Sequence, residues 1–194
     1  MPTDSPRLIL ASGSPRRRAL LQALGLDFTV FVSDVDETVT GLPRDMVRTL
    51  ALRKAQAVMP SFSEGWILAA DTLVSLDDRA LGKPADAEEA KNMLLSLSGR
   101  AHDVFTGICL LDARSGQYDL RVVGTRVRFR ALSQAEIDAY IATGEPMDKA
   151  GAYAIQGGAA GFVENYDGSY ENIVGLPTQE FQRMYHDFPS RPGK

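Results

Sequence analysis

Three consecutive arginines mark the most chemically loaded stretch of this chain, Leu8-Ile9-Leu10-Ala11-Ser12-Gly13-Ser14-Pro15-Arg16-Arg17-Arg18-Ala19-Leu20-Leu21. The run Leu8 to Ala11 predicts a short buried strand, and Ser12-Gly13 predicts a turn. Ser14 is a good N-cap, and Pro15 suits the first helical position, where its missing N–H costs nothing. Leu20, Leu21 and Leu24 then share one helix face, with Gly25 as the stop. Arg16, Arg17 and Arg18 therefore crowd the positive end of a helix dipole, where acidic residues normally belong. That arrangement is unfavourable until an anion joins it. Ser12, Ser14 and the free N–H groups of the helix start make a phosphate-sized site, which the arginines strengthen. The alternative is a solvated helix face, because a step of about 100° per residue scatters three neighbouring side chains. Arg18 is the most open to that reading.

A second set of candidates is acidic and basic by turns. Trp66-Ile67-Leu68-Ala69-Ala70 predicts a fully apolar strand ending in Asp71-Thr72. A carboxylate at the end of a buried strand must be paired or bind something, so Asp71 is the best candidate for a metal ligand or general base. Ser33-Asp34-Val35-Asp36-Glu37 follows a strand at Phe28 to Val32, where loops can line a cleft, although such runs are commonly solvated turns. Lys54 falls on the inner stripe of a helix from Pro43 to about Met59, with Val47, Leu50, Ala51, Ala55 and Val58. A lysine there snorkels to the rim or meets an anion in a cleft. Leu73 to Leu76 continue extended, and Asp77-Asp78 turns the chain back through Ala80-Leu81-Gly82, which carries Lys83 towards Asp71; an exposed edge lysine is the alternative. Gln156, set among small residues in Asp148 to Phe162, offers a donor and an acceptor suited to reading a base edge.

The frame that must position these residues is an ordinary globule. The chain has 194 residues, 44% hydrophobic and 24% charged, enough for one domain with a substantial core. Its net charge of −4 and pI near 5.2 exclude a global positive field, so neither nucleic acid nor an anionic membrane is the expected partner. The basic cluster is a local feature, which favours a small polyanion. Cys109 is the single cysteine, which excludes an intramolecular disulfide and a cysteine-cluster zinc site. No stretch approaches ~18 apolar residues, and Met1-Pro2-Thr3-Asp4-Ser5-Pro6 lacks the features of a signal peptide, so a cytoplasmic setting is expected.

Further elements complete the frame. Asp86-Ala87-Glu88-Glu89 and Ser133-Gln134-Ala135-Glu136 read as capping boxes that open helices. Two long strands, about His102 to Asp112 and Tyr118 to Arg130, join at Ser115-Gly116. The second alternates, with Thr125, Val127 and Phe129 on one face and Arg126, Arg128 and Arg130 on the other. That arginine ladder could bind phosphate, but it reads rather as solvated or paired with acids across an interface, and His102 as structural rather than a catalytic base. Asp167-Gly168 predicts a hairpin between strands Phe162 to Tyr166 and Ser169 to Val174. Pro177 starts a closing helix, and residues 190–194 read as a frayed tail. Neither GxGxxG nor GxxxxGK[ST] occurs, so Rossmann and P-loop readings are unsupported. No Ser-His-Asp or Cys-His set is evident either.

The candidates are complementary in kind. Arg16, Arg17, Lys54 and Lys83 supply positive charge, Glu37 and Asp71 can hold a divalent cation, and Thr72 and Gln156 can discriminate a base. That set suits a nucleotide polyphosphate with Mg²⁺ or Mn²⁺, which needs only one or two carboxylates plus phosphate oxygens.

The same residues carry a resemblance. Ser12-Gly13-Ser14-Pro15-Arg16-Arg17, Ala69-Ala70-Asp71-Thr72, Leu81-Gly82-Lys83-Pro84, Leu97-Ser98-Gly99, Asp148 to Gly157 and Gly168-Ser169-Tyr170 with Val174-Gly175-Leu176-Pro177 follow one another in unbroken order. Together they resemble the Maf family. The resemblance implies an α/β fold with a bent mixed sheet, flanking helices and two lobes around a central cleft, in a single domain over 1–194. It implies a nucleoside triphosphate pyrophosphatase, related to the inosine triphosphate pyrophosphatases, that works as a homodimer. Asp71 matches the proton acceptor, and Arg16, Thr72 and Gln156 match positions linked to base choice. Glu37, Lys54 and Lys83 match further active-site positions, and Arg17 is the second arginine of the signature. The Pro-Arg-Arg and Ala-Ile-Gln-Gly segments resemble the branch acting on dTTP and UTP. The 7-methyl-GTP branch and a non-enzymatic, nucleotide-sensing regulator of cell division are the alternatives. Gly158-Ala159-Ala160 departs mildly from the family pattern in a loop.

Overall fold

The computed structural model describes residues 6–32 and 34–188; Ser33, the opening residues 1–5 and the expected tail at 190–194 lie outside the described residues. A seven-stranded mixed sheet forms the centre. Its strands are β1 (Leu8–Leu10), β2 (Phe28–Val30), β3 (Trp66–Leu76), β4 (Arg79–Leu81), β5 (Ala101–Asp112), β6 (Tyr118–Phe129) and β7 (Val163–Asp167). They lie in the order β2-β1-β3-β5-β6-β7, with β4 added on β3. Strands β2 and β3 run parallel to β1, and every other pairing is antiparallel. Helices α1 (Pro15–Ala23), α2 (Pro43–Val58), α3 (Ala87–Leu97), α4 (Gln134–Ala142), α5 (Tyr170–Val174) and α6 (Thr178–Asp187) flank the sheet. The mixed α/β class read from the sequence holds. No described helix is long and apolar enough to cross a membrane.

The two-residue period of a strand decides which side chain meets which helix. Leu8, Leu10, Leu68, Ala70, Ile108 and Leu110 pack with Leu21 of α1 and with Phe181 and Met184 of α6. Their neighbours Ile9, Ile67, Ala69, Cys109 and Leu111 pack on the other face against Ala51, Ala55 and Val58 of α2. A separate core forms farther along the same strands. There Val74, Leu76 and Val104 join Val127, Phe129 and the inner faces of α3 and α4. Strands β3 and β5 thus run through both cores, and Asp71-Thr72 lies at the crossing between them.

That crossing is where β3 loses a neighbour. On one side β5 pairs with β3 without a break from Trp66 to Ser75. On the other side β1 pairs only with Trp66 to Leu68, and β4 only with Val74 to Leu76. The edge between them is unpaired among the described residues. Asp71 therefore does not end a strand, as the sequence suggested; it sits in the middle of an eleven-residue one. The chain stays extended because its far half is held by β4 and β5.

Other departures have local causes. Asp167-Gly168 does not join two strands: Ser169 accepts a hydrogen bond from the Asn172 N–H and caps α5 instead. The cap at Ser133 is a full capping box, whereas Glu89 reaches past Asp86 to the Ala85 N–H, so only half of the first box forms. Strand β2 stops at Val30, two residues early, and Pro177 is the N-cap of α6 rather than its first residue.

Candidate active site

The turn from β1 into α1 has the predicted build. The Ser14 Oγ accepts from the Arg17 N–H at 3.4 Å, and the Ser14 N–H donates to the Ser12 Oγ at 3.2 Å. This turn forms one wall of a cavity of about 640 Å³ beside the open edge of β3. Ser12, Ser14, Arg16 and Arg17 reach the cavity from the turn, Glu37 and Lys54 from the loop before α2 and from α2 itself. Asp71 and Thr72 enter from β3, Lys83 from the chain after β4, and Gln156 from the glycine-rich segment. Every site residue expected from the sequence lines this one hollow. Arg18 does not, and it stands exposed on α1.

Lys54 is the centre of the acidic part. The residue is only 8% exposed, and the anions it meets belong to the protein itself. Nζ donates to Asp71 Oδ1 at 2.7 Å and lies 2.9 Å from Glu37 Oε1. Asp71 is buried, while Glu37 is largely exposed. A buried carboxylate needs such a partner, since an isolated charge out of water is costly. Asp71 Oδ2 makes no hydrogen bond with any described residue.

Arg17 works differently from the other cations. Its guanidinium donates through Nε to the Gly175 carbonyl at 2.8 Å, through Nη1 to Ser12 Oγ at 3.2 Å and through Nη2 to Thr72 Oγ1 at 3.0 Å. The planar fork ties the β1–α1 turn, β3 and the end of α5 together, a task a lysine cannot do. Burial pulls its pKa down from the ordinary value, and the Asp71 carboxylate opposes that shift. Arg16 and Lys83, by contrast, make no hydrogen bond or ion pair with a described residue. Lys149 is paired with Asp148, which also feels the charge of Arg16. Counting the wall, five cationic side chains face three acidic ones. A net-positive hollow in a chain of net charge −4 is a place for a compact polyanion.

A family model described as "Maf-like protein" matches residues 7–188. The chain belongs to the Maf family. A protein of Pelotomaculum thermopropionicum named dTTP/UTP pyrophosphatase is 49% identical over 183 residues, covering 93% of this chain and 96% of that one. One of Bacillus cytotoxicus with the same name is 48% identical, covering 95% and 96%. A third, of Desulforamulus reducens, is 48% identical and covers 88% and 90%.

In this Maf-family chain several residues that shape the site escaped the sequence reading. Gly107 lies opposite Asp71 in the β3–β5 register. A Cβ there would stand 2.2 Å from the Val47 carbonyl oxygen, so the glycine lets α2 press onto the sheet and deliver Lys54. Gly151, at φ +67°, is packed the same way against Val74. Thr106 and Asn172, both fully buried, lie behind Thr72. His102 is structural, as expected. Its Nε2 lies 2.7 Å from the Tyr153 hydroxyl, its ring stacks edge-on to Phe129, and burial pulls its pKa down to about 4. The arginine ladder finds its acids within the chain and not across an interface: Arg126 pairs with Asp103, Arg128 with Glu164 and Arg130 with Glu136.

Proposed function

We propose that this protein is a hydrolase that splits dTTP and UTP into the monophosphate and pyrophosphate. The observation that carries this reading is the convergence of Arg16, Lys54, Lys83 and Asp71 from four distant parts of the chain on one cavity. The names of relatives almost half identical over nearly the whole chain support it. A cavity of about 640 Å³ lies in the range of nucleotide-sized sites.

The roles follow from the geometry. Arg16 and Lys83, whose side chains have no hydrogen-bond or ion-pair partner among the described residues, take up charge that grows on the pyrophosphate leaving group. The Ser12 and Ser14 turn holds phosphate oxygens together with the Arg16 N–H, which no described group accepts; the Arg17 and Arg18 N–H groups are taken by Ser14. Asp71 serves as the proton acceptor for the attacking water, and Thr72 and Gln156 read the base. No group of three or more acidic, cysteine or histidine side chains placed to hold a metal ion occurs among the described residues. A hard divalent cation needs no such cluster, and the free Asp71 Oδ2 with the exposed Glu37 carboxylate suits Mg²⁺ or Mn²⁺ in kind. When bound, such an ion would polarise the phosphate oxygens. Lys54 keeps the two carboxylates together on the same side of the cavity. A homodimer in the cytoplasm, with no nucleic acid partner, is part of the same reading.

Pyrophosphate release is to be followed over a panel of triphosphates that includes dTTP, UTP, CTP and 7-methyl-GTP, with and without Mg²⁺ or Mn²⁺. Turnover of dTTP and UTP is expected to exceed that of the others. Removing an acid/base group should cost ~10²–10⁴ in rate, so Asp71→Asn is expected to fall in that range. Near-normal turnover by both Asp71→Asn and Glu37→Gln would remove the assignment. Binding without turnover of any triphosphate would favour a nucleotide sensor instead. Light scattering in solution tests the dimer.

A further inference from the structure

We infer that Thr106, which does not reach the cavity, sets the base preference by fixing which way the Thr72 hydroxyl points. This rests on the reading of the cavity as a dTTP/UTP site with Thr72 against the base.

The argument is a proton count along a chain of hydrogen bonds. Thr72 and Thr106 face each other across β3 and β5, with their hydroxyl oxygens 3.0 Å apart, and distance alone leaves either as the donor. The next link removes that freedom. The Thr106 Oγ1 also lies 3.1 Å from the Asn172 carbonyl oxygen, which can only accept. A hydroxyl has one proton to give and two lone pairs to accept with. Thr106 must spend its proton on Asn172, since otherwise two lone pairs would face each other inside the protein. Thr106 can therefore only accept from Thr72, and the Thr72 proton points inward, away from the cavity. From the other side Arg17 Nη2 donates to the Thr72 oxygen at 3.0 Å. A guanidinium has no acceptor, so this bond occupies one of the two Thr72 lone pairs.

One lone pair remains. Thr72 can thus offer the cavity an acceptor and nothing else. The chain from Arg17 through Thr72 and Thr106 to the Asn172 carbonyl is unidirectional, and each bond polarises the next. Thr106 is fully buried, and Asn172 is anchored in turn by donating its side-chain amide to the Val104 carbonyl at 2.9 Å and to Thr125 Oγ1 at 3.0 Å. Reorientation would cost several bonds at once. An acceptor-only hydroxyl suits the ring N–H of thymine and uracil, which is a donor. Cytosine presents a bare ring nitrogen at that position, and two facing acceptors repel. Sites built around a hydrogen bond reject analogues that leave it unmade far better than apolar pockets do.

Thr106→Val keeps the shape and removes the acceptor. The Asn172 carbonyl still receives the Gly175 N–H at 3.1 Å, so no buried acceptor is left bare. The Thr72 proton is then free to turn to the cavity and meet the cytosine nitrogen. Steady-state kcat/KM is to be measured for dTTP, dCTP, UTP and CTP with the wild type, Thr106→Val and Thr106→Ser. In Thr106→Val the preference for dTTP over dCTP, and for UTP over CTP, should fall about tenfold, mainly through gain with the cytosine nucleotides. Thr106→Ser, which restores the hydroxyl, should return the preference to the wild-type value. An unchanged ratio in a folded Thr106→Val overturns the inference, as does an equal loss on all four substrates. If Thr106→Val does not fold, a changed ratio in Thr106→Ser overturns it and an unchanged one upholds it. Absence of dTTP and UTP turnover in the wild type would instead overturn the reading of the site itself.

Discussion

Gly107 carries a heavy geometric demand for a residue with no side chain, and Gly107→Ala tests how α2 and the site are coupled. The added Cβ would lie 2.2 Å from the Val47 carbonyl oxygen, 2.6 Å from its carbon and 3.0 Å from the Arg48 nitrogen, all backbone atoms of α2. Ordinary contact begins near 3.4 Å, so the helix must retreat by about 1.2 Å along that line. Backbone cannot swing aside as a side chain can. Val47 lies two turns before Lys54 on the same helix, and the Lys54 Nζ sits 2.7 Å from Asp71. A retreat of that size stretches the bond beyond hydrogen-bonding range, leaving Asp71 buried without its partner. Overpacking of this kind costs ~1–3 kcal/mol, and a displacement near 1 Å at a reacting group costs roughly 10²-fold in rate. Gly107→Ala should therefore lower the urea midpoint and reduce kcat/KM for dTTP by about 10²-fold while the fold survives. Circular dichroism during urea titration and pyrophosphate release measure the two effects. Wild-type stability together with wild-type kcat/KM would refute the reasoning, because it would mean α2 does not rest on Gly107.

Other perturbations separate the remaining roles. Arg17→Lys keeps the charge but cannot reach Ser12, Thr72 and Gly175 at once, so kcat/KM should drop by at least ~10-fold and the melting temperature should fall with it; a variant equal to the wild type would show that charge alone matters. Burial holds His102 neutral in the folded state, with a pKa of about 4 against an ordinary 6.5. The unfolded chain therefore binds the extra proton between those values, so this group leaves stability untouched above pH 6.5 and erodes it as pH falls towards 4. The loss amounts to about 3 kcal/mol at the acid end, of which roughly 2.5 kcal/mol falls between pH 7 and pH 4.5, and His102→Gln should remove that part of the pH dependence of the unfolding free energy from urea titration. Cys109, fully buried and with its thiol pushed up to about 12 by burial, should resist thiol reagents in the native state and react only in denaturant.

Much of the site was legible because its signals are local. The Ser14 cap, Pro15 and the arginines occupy one turn of chain, and capping chemistry reads at a spacing of three residues. Lys54 betrayed itself as a charge on the apolar stripe of Val47, Leu50, Ala51, Ala55 and Val58, all of which are buried. Asp71 did so as a carboxylate interrupting an apolar strand. Even the Arg126, Arg128 and Arg130 ladder followed from strand alternation. The misreadings also have local causes. Asp-Gly is a strong hairpin signal, and Ser169-Tyr170-Glu171-Asn172 is an equally good helix start; the side-chain cap of Ser169 on Asn172 decided between them.

What the sequence concealed is pairwise and distant. Gly107 reads as a weak spot in a strand until the 60 residues separating it from Val47 are folded away, and the reason for it is an approach between two backbones. Thr106 is an unremarked polar residue until the β3–β5 register sets it opposite Thr72 and the cap of α5 brings the Asn172 carbonyl behind it. Its significance depends on two partners, Thr72 and the Asn172 carbonyl at separations of 34 and 66 residues, on Arg17 lying 55 residues from Thr72, and on which of these groups can give a proton. Composition and periodicity carry no such information. The same limit explains why Arg16 and Arg17 looked alike. Adjacent in sequence and equal in charge, they part company because one has its fork filled by Ser12, Thr72 and Gly175 while the other lines the cavity with no hydrogen bond or ion pair among the described residues. A phosphate can be met only by the cation that the fold has not already used.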